Sequence, residues 1–479
     1  MVLISLKNRP CKFSNSSKAN PEKDVLKRYQ FLQQFKKESK QFGSQRQASE
    51  GVAVKVAMEN LARTAGYPDP IRLQWAMETK EAQEIMQKAG TIEFTDTQIR
   101  LEIDEQGKSS IIAIKDGKKL KSIPAKYRKE PSLVKLKEYN KTLREQYRRT
   151  RKSLENAMIN GDVFSSKEIE TLTQHPVVAP MINKLVLASN GDVGFWQDNK
   201  LLKPDGELAT LSDEIRLAHC VDLYESKTWA SFQKYCFTNK LTQPFKQIFR
   251  ELYVPTSDEL KEKAVSRRYA GHQVQPKKTV ALLKSQHWTV DYEEGLQKVN
   301  HKQNTIARMF AMADWFSPAD TEAPTLETVE FFSRKDGKRL PFEKVDKLIF
   351  SETMRDIDLV VSVAHVGDVD PEASQSSIEL RTAIVKETCS LFKLNNVTLS
   401  ENHAKIAGDL GEYSVHLGSG VCHKVASSSL SILPVHSQHR GRMFLPFIDD
   451  DPKTAEILSK VLMLAKDKEI KDPTILQQL

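Results

Sequence analysis

TIEFTDTQIRLEIDEQGKSSIIAIKDGKKLKS (residues 91–122) and PSLVKLKEYNKTLREQYRRTRKSLENAMIN (residues 131–160) are near neighbours that obey different periods. In the first, Ile92, Phe94, Ile99, Leu101 and Ile103 alternate with polar residues, Asp104-Glu105-Gln106-Gly107 supplies a turn, and Ile111 to Ile114 follows. That pattern predicts a hairpin or small meander. In the second, Leu133, Leu136, Leu143, Tyr147, Leu154 and Met158 recur at about 100° per residue, the mark of a long amphipathic helix. A strand period followed at once by a helix period implies an α+β fold of mixed helices and antiparallel strands.

Working outward, Pro21 to Lys40 places Val25, Tyr29, Leu32 and Phe35 at helical spacing. Ala48 to Ala65 does the same with Val52, Val56, Met58, Leu61 and Ala62, before a Gly66-Tyr67-Pro68 breaker. Downstream, aromatics cluster at Trp196, Trp229, Phe232, Tyr235, Phe237, Phe245, Phe249, Tyr253 and Trp288, as a core-building region would have them. SPADTEAPTLE from Ser317 reads as a linker. Helices are expected at Ser376–Leu391 and Pro452–Ala465. With no internal repeat, two to three domains are expected: a basic, mainly helical region at 1–160, an aromatic-rich middle at 161–345 and an α+β region at 346–479.

The 479 residues carry 72 Lys+Arg and 63 Asp+Glu, for a formal net charge of +9, with 39% hydrophobic residues. This mix excludes a collagen-like chain, a membrane-embedded protein and wholesale disorder. The apolar stretch Leu359 to Ala364, broken only by Ser362, is far short of the ~20 residues a membrane helix needs. The five cysteines, Cys11, Cys220, Cys236, Cys389 and Cys422, form no CxxC pair, which argues against a disulfide framework and for a reducing cytoplasm. No GxxxxGK[ST], GxGxxG, HExxH or GxSxG motif occurs. Neither nucleotide hydrolysis nor a specific cofactor is indicated.

Charge is uneven. Residues 1–155 hold 33 Lys+Arg against 19 Asp+Glu, net +14, whereas the remainder is net −5. Within the 131–160 helix, Lys141, Arg144, Arg148, Arg151 and Lys152 gather beside the leucine stripe. They are candidate contacts to nucleic acid or to an acidic protein, since a basic helical stripe neutralises phosphates. A solvated helix face accounts for the same pattern, and no aromatics are interleaved for base stacking.

Three further clusters carry chemistry. Lys246 and Arg250, four apart, together with Arg267, Arg268 and His272 are candidate ligands for a phosphate or carboxylate. Glu352, Asp356, Asp358, Asp368, Asp370 and Glu372 around Arg355 read as a surface ion-pair network, with acid–base or Mg²⁺ chemistry as the functional alternative. Near the C-terminus, His416, Ser419, His436, His439 and Arg440 are expected to converge at the Gly418–Gly420 turn, with His416, Ser419, His439 and Arg440 as candidate catalytic residues. Gly418, Gly420 and Arg442 would cradle an anion, and His423 and Cys422 would add metal-ligand capacity. Ordinary packing histidines on a glycine-rich hairpin are the competing explanation.

QPFKQIFRELYVPTSDEL (243–260), SRRYAGHQV (266–274), FSETMRDIDLVVSVAHVGDVDPEAS (350–374), EYSVHLGSG (412–420) and DDPKTAEILSKVLMLAKDKEIKDPTIL (450–476), with the early ASEGVAVKVAMENLARTAGYPDPIRLQWAME (48–78), resemble the large bacterial MolR-like proteins. Longer members of that family of unknown function often begin with a WGR domain. The resemblance implies the C-terminal part of a longer or split protein, with an open apolar patch beside residues 21–65. It also implies work alongside a MoxR-type ATPase system. The resulting expectation is a non-catalytic or regulatory component of a multiprotein bacterial system, binding an anionic partner and touching no membrane. A hydrolase or transferase centred on the C-terminal His/Gly segment is the alternative.

Overall fold

The computed structural model describes residues 21–291, 295–312, 323–364, 375–424, 429–430, 444, 446–448, 452–477 and 479. The chain opens with three helices, α1 (Pro21–Glu38), α2 (Ser44–Thr64) and α3 (Pro70–Lys88). Asp69 starts α3 by accepting the N–H groups of Ile71 (2.8 Å) and Arg72 (2.9 Å), with Pro70 in the first turn where no N–H is needed. Leu26, Tyr29, Val54, Met58, Leu61, Leu73 and Met77 form the small core of this trio. The buried face of α2 runs through Val54, Met58, Leu61 and Ala62. Val52 (64% exposed) and Val56 (50%) point away from it, so the α2 stripe is rotated from the expected one. Phe31 is exposed as well.

The alternating segment forms an antiparallel meander in the order β1 (Ile92–Phe94), β2 (Thr97–Ile103), β3 (Ser109–Lys115), β4 (Lys118–Lys119). The long helix α4 (Pro131–Ile159) lies on it through Leu133, Leu136, Leu143 and Tyr147. Then follow β5 (Val163–Phe164), α5 (Ser166–Thr173), α6 (Ala179–Ile182), β6 (Val186–Ser189), β7 (Asp192–Gln197), β8 (Lys200–Leu202), β9 (Leu208–Thr210) and β10 (Ile215–Leu217). These strands make a six-stranded sheet in the order β5-β10-β6-β7-β8-β9.

That sheet explains why the boundary expected near 160 dissolves. Successive side chains of a strand face opposite ways. Leu187, Leu201, Ile215 and Leu217 enter the core built on α4, which runs from Trp75 to Phe245. Val186, Ala188, Val193 and Phe195 enter a second core with α7 (Cys220–Glu225), α8 (Trp229–Thr238) and the C-terminal elements. One sheet, buried on both faces, therefore joins the first third of the chain to the last.

The third core lies between residues 253 and 364. Here α9 (Ser257–Glu262) and α10 (Pro276–Ser285) accompany an antiparallel sheet, β11 (Val265–Ser266), β15 (Thr325–Ser333), β14 (Thr305–Met312), β13 (Gly295–Asn300), β12 (Thr289–Asp291) in spatial order. Helix α11 (Lys347–Ala364) belongs to this core through Ile349, Phe350, Met354, Ile357, Val360 and Val361, so the boundary expected at 345 is crossed too. The linker proposed from Ser317 falls largely outside the described residues. The last region holds α12 (Gln375–Phe392), a five-stranded meander β16 (Val397–Leu399), β17 (His403–Ala407), β18 (Glu412–His416), β19 (Cys422–Lys424), β20 (Ser429–Leu430), then α13 (Pro452–Ala465) and α14 (Pro473–Leu476). The class is α+β, with several antiparallel sheets and no simple repeat. Among the described residues no helix is long and apolar enough to cross a membrane.

Candidate functional site

Helix α4 divides its surface by chemistry. One side packs on β3 through its leucines, and a second meets α3 through polar contacts in antiparallel register. Trp75 Nε1 donates to Ser153 Oγ (3.0 Å), Arg149 Nε to Glu78 Oε1 (2.8 Å) and Gln146 Nε2 to Glu81 Oε2 (2.8 Å). The remaining face carries Lys137, Lys141, Arg144, Arg148 and Lys152, all exposed. Lys137 donates to the Arg128 carbonyl (3.1 Å) and Lys152 stands 3.8 Å from Glu155. No carboxylate among the described residues pairs with Lys141, Arg144 or Arg148. Spacings of four, three, four and four residues make each cation a direct neighbour of the next on the helix surface.

Lys137 extends the stripe by a full turn beyond the residues picked from the sequence. Its i, i+4 relation to Lys141 was the available signal. Arg151 leaves the stripe. Its guanidinium donates to the carbonyls of Pro244 (2.6 Å) and Ile448 (3.4 Å), fastening α4 to the middle and C-terminal segments. By helical phase Arg151 lies only 60° from Arg148, so it is the Pro244 and Ile448 carbonyls, and not its position on the helix, that take it out of the stripe.

Lys246 and Arg250 do not open into a ligand pocket. Arg250 is 1% exposed and grips Glu352 with Nε–Oε1 at 2.6 Å and Nη2–Oε2 at 2.7 Å, while Nη1 reaches Glu155 at 3.2 Å. Lys246 Nζ pairs with Glu251 Oε1 (3.1 Å), whose other oxygen takes Arg355 Nε (3.0 Å). Burial opposes charge on Glu352, but Arg250 beside it holds the carboxyl well below its ordinary range. Glu251 follows the same logic, with Lys246 and Arg355 overriding burial. Arg268 pairs instead with Glu259 (2.5 Å), Arg267 is exposed and His272 is half-buried. The five polar residues are thus divided among separate environments because buried acids claim three of them.

The acids of α11 are buried rather than superficial. Asp356 accepts Trp288 Nε1 (2.8 Å) and Lys298 Nζ (2.6 Å), and Asp358 accepts the Tyr269 hydroxyl (3.2 Å). Asp368, Asp370 and Glu372 lie outside the described residues. His219, fully buried, puts Nε2 at 2.8 Å from Glu352 Oε1. Burial disfavours its charge, while Cys220 and Glu352 favour it and raise its pKa to about 9. The Val221 N–H aimed at Nδ1 (3.3 Å) pulls the other way, since an imidazolium has no lone pair there. Nε2–H donates to Glu352 in either state. Cys220 Sγ is 3.6 Å and 3.9 Å from the two nitrogens of this ring, and it also donates to the Glu251 carbonyl (3.7 Å).

At the C-terminal segment, His416 and Ser419 do meet. Ser419 Oγ is 3.0 Å from His416 Nδ1, and the Ser419 N–H donates to the same nitrogen (3.0 Å). The Gly420 N–H donates to the His416 carbonyl (2.8 Å). Arg381 binds the carbonyls of Leu417 (3.0 Å) and Gly418 (2.8 Å), Lys453 that of Ser419 (3.3 Å) and Lys460 that of Gly420 (2.9 Å). The Gly418–Gly420 turn therefore presents carbonyls to cations and spends the Ser419 and Gly420 N–H groups internally, the reverse of an anion cradle.

His403, opposite His416 in register, was missed as a partner. The rings lie 4.8 Å apart, edge to face. His423 pairs with Ser414 and so shares their face. Cys422, one residue away, points into the core, where burial pushes its thiol up to about 11. Burial, with His403 next, lowers the His416 pKa. Among the described residues no three His, Cys, Asp or Glu side chains are arranged to hold a metal. His436, His439, Arg440 and Arg442 lie outside the described residues.

Two clefts, of about 630 and 710 Å³, flank the β6–β7 hairpin, and sequence reasoning pointed to neither. Their charged groups are largely engaged: Arg216 forks onto Asp222 (2.7 and 2.6 Å), and Lys203 meets Asp192 (3.0 Å).

Three families match parts of the chain. Residues 117–288 are similar to a domain of unknown function, DUF4132, and residues 378–479 to another, DUF7737. Residues 16–77 are similar to a family of unknown function, DUF5724. No curated protein and no solved structure matches the chain.

Proposed function

We propose that this chain is a non-catalytic or regulatory polyanion-binding module of a cytoplasmic multiprotein system, with the exposed face of α4 as its contact surface. One observation carries the reading. Lys137, Lys141, Arg144, Arg148 and Lys152 form four successive like-charge neighbours on a helix, each pair unfavourable by roughly 0.2–0.5 kcal/mol. A surface that serves only solubility intersperses signs. Glu138 and Glu145 flank the row, yet neither pairs with Lys141, Arg144 or Arg148, and a run of cations that a helix tolerates against its own stability fits a place where an anion arrives. The net charge of +14 over residues 1–155 supplies the long-range field.

The resemblance to MolR-like proteins supports a role within an assembly. Against a hydrolase or transferase at His416 stand the internally satisfied Ser419 and Gly420 N–H groups, which leave those donors with no oxyanion to stabilise.

Retention of the 479-residue chain on immobilised heparin tests the reading. The chain should bind at low salt, and K141E/R144E/R148E should elute at markedly lower salt with an unchanged circular dichroism spectrum. Passage of the unmodified chain at 50 mM salt would overturn it.

A further inference from the structure

The shape of the basic face narrows the class of anion, and we infer that its partner is duplex nucleic acid gripped through the phosphate backbone without base readout. This rests on the polyanion-binding reading above. From Lys137 to Lys152 the row spans sixteen residues of one unbroken helix, roughly 22 Å along its axis. A duplex presents one phosphate charge per ~1.7 Å of its axis, so a straight cationic row of that length meets many phosphates without bending its partner.

Single strands are bound differently, by stacking bases on exposed aromatic rings. The row offers none. Of the two aromatics of α4, Tyr139 is half-buried, and the Lys135 ammonium lies 5.8 Å from its ring. Tyr147 is buried against the meander.

Rigidity favours the same partner. The opposite sides of α4 are locked by the leucine packing on β3 and by the Trp75, Glu78 and Glu81 contacts from α3, and Arg151 pins its C-terminal half to Pro244 and Ile448. The cations therefore project from a fixed rod. A rod suits a stiff, regular ridge of phosphates better than a flexible acidic peptide, whose ordering would cost entropy on binding.

The experiment measures binding of the full chain to a 24-base-pair duplex of arbitrary sequence, to one of its strands alone, and to heparin, at 50 and 200 mM salt. Five phosphate contacts give a log–log slope near −4.5, roughly a 500-fold loss of duplex affinity over that interval. K141A/R144A/R148A should shrink the loss to about 12-fold, the value for two remaining contacts. Duplexes of unrelated sequence should bind alike. Heparin binding with no duplex binding, or single strands bound as tightly as duplex, overturns the duplex assignment and leaves the polyanion reading standing. Failure on all three ligands removes both. A salt slope unchanged in the triple variant moves the contact off α4 and overturns the proposal.

Discussion

Arg250 and Glu352, 102 residues apart, form a two-pronged ion pair in a place where water does not reach. The carboxylate comes from α11 of the third core, and the guanidinium also holds Glu155 at the end of α4. His219, at the start of α7, contacts the same carboxylate. Side chains of all three large cores thus meet around one charge pair.

Removing one partner strands the other, which is costlier than never having placed the pair. R250A and E352A are each expected to lower unfolding free energy by about 3–5 kcal/mol. The double variant R250M/E352L should cost less than either single change. Chemical denaturation of the four proteins measures this, and equal additive losses would contradict it.

His175 predicts an acid sensitivity. It is 1% exposed, its Nδ1 accepts the Val177 N–H (3.1 Å), and its Nε2 has no hydrogen-bond partner among the described residues. Burial depresses its pKa to about 4. The folded value lies below the unfolded one of ~6.5. Its stabilising contribution is therefore complete above that pH and is lost as pH falls through about 4, a change of about 3 kcal/mol. In H175N, whose side-chain oxygen can still accept the Val177 N–H, the decline between pH 6.5 and 4 should be shallower. Identical stability profiles would refute the assignment.

Arg144 and Arg151 lie on one helix and should fail differently. R144A is expected to weaken polyanion binding several-fold with a melting temperature unchanged within a degree or two. R151A should lower the melting temperature by several degrees, because the Pro244 and Ile448 carbonyls lose a charged donor, about 1.5–3 kcal/mol. Thermal melts and heparin elution on both variants separate the two roles.

Two glycines of positive φ separate strain from collision. Gly191 (φ 84°), in the β6–β7 turn, faces open space, so G191A should cost about 1 kcal/mol from strain alone. Gly107 (φ 80°) would place a Cβ 2.3 Å from the Val177 carbonyl oxygen. G107A should cost at least twice as much, as measured by denaturant midpoint.

Local pattern alone determined the class of this protein and several of its elements. The meander at 92–119, the α4 helix and the C-terminal helix Pro452–Ala465 follow from hydrophobic period, because burial on one face demands that period wherever the partner lies. The cations of α4 were readable for the same reason: a helix sorts its residues into faces by position. Only the tertiary structure decided which charges remain available. Nothing local distinguishes Arg250 from Arg144, yet one is buried against Glu352 from a distant helix and the other faces solvent. Nor does a four-residue strand announce that its alternate side chains feed two cores, as Leu187 and Val186 do. Ion pairing and two-sided burial depend on which segments meet across a hundred residues or more, and chain topology sets those meetings rather than local periodicity.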